Sequence, residues 1–150
     1  LINNYSSFCK LRQTNPLFIT STRTPAEVEE LIKEKFDVSM SVLYHSEKAR
    51  GKFDHLLYVA DNIFVTEDSS TMLSEAVSSG KKVISIFPQN INAPEKYLQI
   101  IKKYQGLGFI ERCGIENIDK FTFLGESNIQ DKVDSSRKNF QRSLVERLKD

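Results

Sequence analysis

Between residues 60 and 83 the chain spells out a strand, a polar turn, a helix, a glycine stop and a second strand, in that order. Ile63, Phe64 and Val65 form the short apolar run expected of a parallel strand covered on both faces. Residues 66–70 follow with side-chain oxygens from Thr66 to Ser70 and with the unpaired backbone N–H groups of a starting helix. In that helix Met72, Leu73, Ala76 and Val77 fall on one face, so Thr71, Glu75 and Ser78 share the other. Gly80 ends it, and Val83-Ile84-Ser85-Ile86-Phe87 supplies the next strand. Two strands joined through one helix pair in parallel with a right-handed crossover, which restricts the fold more than any other stretch of this chain.

The remaining segments repeat the alternation. A short apolar run at 17–21 precedes Thr24-Pro25-Ala26-Glu27, which has the pattern of a capping box with proline at the first helical position. A helix starting at Thr24 would place Val28, Leu31, Ile32 and Phe36 inward and Glu29, Glu30, Lys33 and Glu34 outward. Residues 41–45 read as a strand, 46–52 with Gly51 as a loop, and Phe53, Leu56, Leu57 and Ala60 as a short helix. Pro88 stops the strand at 83–87, and Pro94 begins a helix with Tyr97, Leu98, Ile101 and Tyr104 inward. Phe109-Ile110 is a short edge-strand candidate, and 111–128 has weak periodicity that predicts turns or a small irregular element. A last helix over 131–148 would turn Val133, Phe140, Leu144 and Leu148 inward. The class that follows is α/β, doubly wound, with a mostly parallel sheet and helices on both faces. At 150 residues the chain has the length of one domain.

Composition narrows the function mainly by exclusion. A formal charge of +1, with lysines alternating with acids along the helices, gives no basic stripe for nucleic acid. No apolar run approaches the ~20 residues of a membrane-spanning helix. The last helix is amphipathic with charges of mixed sign, which favours packing on the domain over a basic membrane anchor and leaves peripheral membrane contact open. Cys9 and Cys113 lack metal-type spacing and read as buried or half-exposed thiols of a reducing compartment, so the expected location is the cytoplasm. His45 and His55 belong to no recognisable constellation and are assigned structural or solvent roles, and no metal site is expected. The polar start Leu1-Ile2-Asn3-Asn4-Tyr5, without an initiator methionine, shows no secretory signal and suggests a longer protein.

Ligands of open α/β sheets bind beyond the carboxyl ends of strands, where the strand order reverses. Two loops qualify. Ser21-Thr22-Arg23-Thr24 sets one cation among three hydroxyls at a helix start, and arginine with helical N–H groups suits a phosphate. Taken alone, the loop reads more readily as a capping box with a solvated arginine, since capping boxes are common. In the second loop Thr66, Ser69 and Ser70 can reach a diphosphate or sugar, while Glu75, leaning toward the helix N-terminus, can accept hydrogen bonds from a ribose diol. Here too a plain reading exists, with Asp68 or Ser69 as N-cap and Glu75 facing solvent. There is no glycine-rich dinucleotide fingerprint, Walker lysine loop, serine elbow or paired-cysteine motif, and no general base stands out.

Ala60-Asp61, Val65-Thr66, Asp68-Ser69, Met72, Ser74-Glu75-Ala76, Gly80-Lys81 and Val83, with Ser21, Arg23, Thr24 and Pro25 upstream, resemble the ELM-type mitochondrial-fission family. The resemblance runs over about 15–112. It implies a Rossmann-like domain similar to the C-terminal half of a GT-B glycosyltransferase, with the N-terminal half outside this chain. More distantly, the segment resembles the UDP-GlcNAc transferase of peptidoglycan synthesis and the UDP-GlcNAc 2-epimerases. By position, the resemblance gives a nucleotide-sugar-binding role to Thr66, Asp68, Ser69, Ser70, Ser74 and Glu75, with Ser21, Arg23 and Thr24 near the phosphates. Thr22 stands where the family commonly has a second arginine, Lys82 where it has proline, and the usual Asn-Pro-Tyr segment is absent around 52–54. These departures bear on substrate more than on fold.

The function expected on this basis is donor binding, with a nucleotide-sugar such as a UDP-sugar as ligand and no separate cofactor. The expected partners are that ligand and the N-terminal domain of the same protein, without nucleic acid. As catalytic residues of such enzymes generally lie on the other half, the isolated domain would be inactive. A non-catalytic interaction protein and a nucleoside-diphosphate-sugar epimerase are the alternative readings.

Overall fold

The computed structural model describes residues 1–46, 53–89, 93–122 and 129–147. They group into two compact units, Leu1–Ala60 with Gly114–Thr122, and Asp61–Cys113 with the C-terminal helix.

The first unit opens with a helix that the sequence reading did not anticipate, α1 (Ile2–Arg12). Its asparagines and serines obscure the apolar stripe, and only Phe8 and Cys9 are buried. What holds it is an aromatic cluster: Tyr5 lies 6.0 Å from both Phe8 and Phe18, and Phe18 lies 4.8 Å from Phe36. Asn4 Nδ2 donates to Ile115 O at 3.0 Å and Arg12 Nη2 to Phe121 O at 3.0 Å, tying α1 to the 3-10 helix Ile115–Lys120 and the residue after it.

The strands expected at 17–21 and 41–45 reduce to one parallel bridge, Ile19 with Val42. Thr20 N donates to Val42 O at 2.9 Å and Val42 N to Phe18 O at 2.7 Å. Beyond the bridge, hydroxyls take the backbone donors: Phe18 N donates to the buried Ser41 Oγ at 3.0 Å, and Tyr44 N to Thr20 Oγ1 at 2.8 Å. Side-chain acceptors of this kind replace ladder bonds and stop a strand from extending.

Helix α2 (Ala26–Lys35) is preceded by Pro25 as its N-cap and has no side-chain cap, so the capping box does not form. Its inward stripe is rotated from the expected one. Leu31 is 44% exposed, whereas Glu29 is fully buried beside Ile32. Glu29 is drawn inward because its carboxylate accepts hydrogen bonds from Thr20 Oγ1 and from His45 N. Helix α3 (Phe53–Val59), with Leu56 buried, matches expectation, and the loop expected before it lies at 47–52, outside the described residues.

The second unit is an α/β, Rossmann-like open sheet. It contains β1 (Asn62–Thr66), α4 (Ser70–Ser78), β2 (Lys82–Phe87), α5 (Glu95–Gly106), β3 (Ile110–Gly114) and α6 (Ile129–Arg147). Strand order is β1-β2-β3, with β1 and β2 parallel and Val65 opposite Ser85. Residues 83–86 of central β2 are buried throughout. In β1 only Val65 is buried, since the strand lies at the margin of this sheet rather than being covered on both faces. Val65, Leu73, Ala76, Val77, Val83, Ile101, Phe109, Ile110, Ile129 and Val133 form the core.

β3 continues the strand expected at 109–110 into the region read as irregular, and the 3-10 helix fills much of the rest. Helix α6 buries Ile129 and Val133, but Phe140 is 66% exposed, contrary to expectation. Only the first turns of α6 meet the core, and residues 135–143 are exposed. Leu148 and the Leu144 side chain lie outside the described residues. Among the described residues no helix is long and apolar enough to cross a membrane.

Candidate functional site

The chain leaves β1 through a turn whose side chains have separate tasks. Thr66 Oγ1 donates to Asp68 Oδ1 at 2.5 Å, pairing two of the predicted site residues at the exposed rim. Ser69 is the N-cap of α4, and its hydroxyl accepts from Met72 N at 3.3 Å. A capping serine leaves the N–H groups of the first helical residues directed out of the helix end.

Along α4 the two faces divide as the spacing predicts. Leu73, Ala76 and Val77 are buried, and Thr71, Glu75 and Ser78 are exposed. An open depression of about 450 Å³ runs along the outer side of the helix. It is lined by Ser70, Thr71, Ser74, Glu75, Ser78 and, from α5, Ile100. Ser74 Oγ lies 3.3 Å from the Tyr104 hydroxyl, which links α4 to α5 beside this surface. Of the predicted residues in this unit, Ser70, Ser74 and Glu75 therefore come together on one surface, while Thr66, Asp68 and Ser69 form the turn ahead of it.

In the first unit Ser21, Arg23 and Thr24 form a closed turn. Thr24 N donates to Ser21 O at 2.9 Å, Ser21 N to Thr24 Oγ1 at 3.3 Å, and Arg23 N to Ser21 Oγ at 3.3 Å. Both hydroxyls thus accept from the backbone, and the Arg23 side chain is exposed. His45, given no chemistry from sequence, places Nε2 3.1 Å from Thr24 O. Buried Glu29 accepts the His45 backbone N–H and the Thr20 hydroxyl, so one carboxylate braces the chain on both sides of this turn.

Sequence reasoning missed Glu67. Its side chain is fully buried, and it accepts from Ser85 Oγ at 2.6 Å, Arg112 Nε at 2.7 Å and Arg112 Nη2 at 2.8 Å. The guanidinium also lies 4.2 Å from the Phe87 ring centroid. The signal was parity. Ile63, Val65 and Glu67 share one side of β1, and Ser85 stands opposite Val65 in the register, so a carboxylate continues a buried row.

A family model described as mitochondrial fission ELM1 matches residues 7–123. An uncharacterized protein of Rickettsia prowazekii (strain Madrid E), RP120, is 36% identical over 84 residues, which is 54% of this chain and 24% of that protein. The matched region is therefore about a quarter of the length of that curated relative. No solved structure matches the chain. The family match takes in the 21–24 turn, the 66–70 turn and all of α4, and on that extent the chain belongs to the mitochondrial fission ELM1 family.

Proposed function

We propose that this chain is the nucleotide-sugar-binding part of a glycosyltransferase-like protein, with the donor held at the carboxyl end of β1 and along α4. The observation that carries the reading is the depression in which Ser70, Ser74 and Glu75 meet. Hydroxyls and helix N–H groups there suit phosphate or sugar oxygens, and an exposed carboxylate suits a vicinal diol. The resemblance to the C-terminal half of GT-B enzymes supports it, with the acceptor and any general base supplied by another part of the full-length protein. The cytoplasm is the proposed location, with Cys9 and Cys113, both buried, read as thiols of a reducing compartment.

Calorimetric titration of the full-length protein with UDP, GDP and their sugars tests the proposal. Binding of one of these ligands that Glu75→Ala abolishes is expected, and absence of binding by all of them sinks it. A second reading, a non-catalytic interaction protein, is favoured by the family's description as a mitochondrial fission protein. On that reading Glu75→Ala and Arg23→Ala leave cellular function intact, whereas loss of function in both rejects it.

A further inference from the structure

Arg112 has one edge committed and one to spare. Its Nε and Nη2 donate to Glu67 at 2.7 and 2.8 Å, so the carboxylate grips the inner edge of the guanidinium, while Phe87 covers a face at 4.2 Å. Glu67 has no exposure left and also holds Ser85 Oγ at 2.6 Å, which fixes the carboxylate and through it the plane of the arginine. The outer edge, with Nη1, makes no hydrogen bond among the described residues, and the Arg112 side chain is 24% exposed. Neutralising Glu67 needs only the inner edge. A planar outer edge held rigid in advance offers two parallel N–H groups, the geometry that matches two oxygens of a phosphate. Glu67 belongs to the same turn as Thr66, Asp68 and Ser69, so this cation is anchored directly to the segment that opens α4.

We propose that Arg112 is a phosphate-binding residue, with Glu67 and Ser85 as its positioning residues. The proposal rests on the nucleotide-sugar reading, the phosphate being part of the donor's diphosphate. Because Glu67 offsets the arginine's charge, recognition comes from the fixed direction of the N–H groups, and lysine cannot replace them.

The test is NMR of the arginine side chains in the full-length protein, ¹⁵N-labelled, titrated separately with UDP, inorganic pyrophosphate and uridine. The Arg112 signals are expected to move with UDP and pyrophosphate and to stay in place with uridine. Arg112→Lys, which keeps a cation beside Glu67, is expected to weaken UDP about tenfold, the order lost when a two-pronged arginine contact becomes a point charge. If UDP shifts the backbone amides of 70–75 while the Arg112 signals stay still, Arg112 is not the phosphate ligand, yet the nucleotide reading survives. If pyrophosphate alone moves Arg112 and no nucleotide or nucleotide-sugar binds, the anion site stands and its assignment to a donor falls. If none of these ligands moves any signal, both proposals are overturned.

Discussion

Glu67 Oε2 accepts from Arg112 Nη2 at 2.8 Å, and the two residues come from opposite margins of the sheet, one just past β1 and the other within β3. The pair spans the central strand, where Ser85 adds a further hydrogen bond to the same carboxylate. Breaking it from one side leaves a fully buried charge without its counter-ion. Arg112→Ala should therefore destabilise the protein by roughly 3–5 kcal/mol, the usual penalty for stranding one member of a buried pair. Replacing both residues with apolar side chains of similar volume should cost far less, because no charge is then left behind. Urea denaturation of the single and double variants measures the difference, and equal losses in both would refute the argument.

Gly80 has φ of 73° and lies at the end of α4, where a Cβ would collide with the Gln130 side-chain oxygen. The contact is with a flexible side chain, so the backbone sets the larger part of the cost. Gly80→Ala should lower stability by about 1–2 kcal/mol, the ordinary penalty for a left-handed residue carrying a Cβ. Gly80→Asn should cost less because asparagine tolerates that region. Adding Gln130→Ala to Gly80→Ala should return only a minor part of the loss. Full recovery in thermal denaturation of that double variant would show instead that crowding dominates.

Glu29 makes its hydrogen bonds to Thr20 and to the His45 backbone, and no cation pairs with it among the described residues. Glu29→Ala should cost roughly 1–3 kcal/mol for the unsatisfied donors, in addition to the cavity that forms. Glu29→Gln keeps one acceptor oxygen and should fall between the alanine variant and the native protein. Because the Ser21–Thr24 turn is flanked by these partners, amide exchange at 20–24 and 44–46 should quicken in both variants. Unchanged exchange would show that the turn is held by its own hydrogen bonds.

Elements fixed by local pattern were legible in the sequence. β1 occupies 62–66 as the apolar run indicates, and α4 separates Leu73, Ala76 and Val77 from Thr71, Glu75 and Ser78 as its apolar spacing indicates. Elements that depend on partners distant in the chain were not. The polar helix α1 is held by Phe18 and Phe36, far along the chain, and its own residues give little sign of a buried face. The 17–21 run reads as a strand until the Ser41 hydroxyl takes its Phe18 N–H and the Thr20 hydroxyl takes the Tyr44 N–H. Glu29 and Glu67 were misread or missed for one reason. A carboxylate looks solvent-facing unless its hydrogen-bond donors are known, and those donors lie 9 and 16 residues from Glu29 and 18 and 45 from Glu67. The candidate site was legible to the extent that it is local: Ser70, Ser74 and Glu75 follow from helix geometry, while Arg112 requires the sheet.

Cys9 offers a pH signature of the first unit. Burial pushes its thiol up from the ordinary range, outweighing the lowering effect of hydrogen bonding with Thr14 and Tyr5, and burial likewise raises the Tyr5 phenol. In the unfolded chain the thiol loses its proton near the usual value of about 8.5, while the folded protein still holds it. Over that interval the native state binds more protons than the unfolded state, so stability falls as pH rises. The contribution is complete below the ordinary thiol pKa and is progressively lost above it, with Tyr5 adding a drop in the same direction at higher pH. Urea midpoints measured from pH 7 to 10 should therefore decline, and Cys9→Ala should flatten the part of the decline that begins near the thiol range. An alanine variant with the same slope as the native protein would assign the pH dependence to other groups.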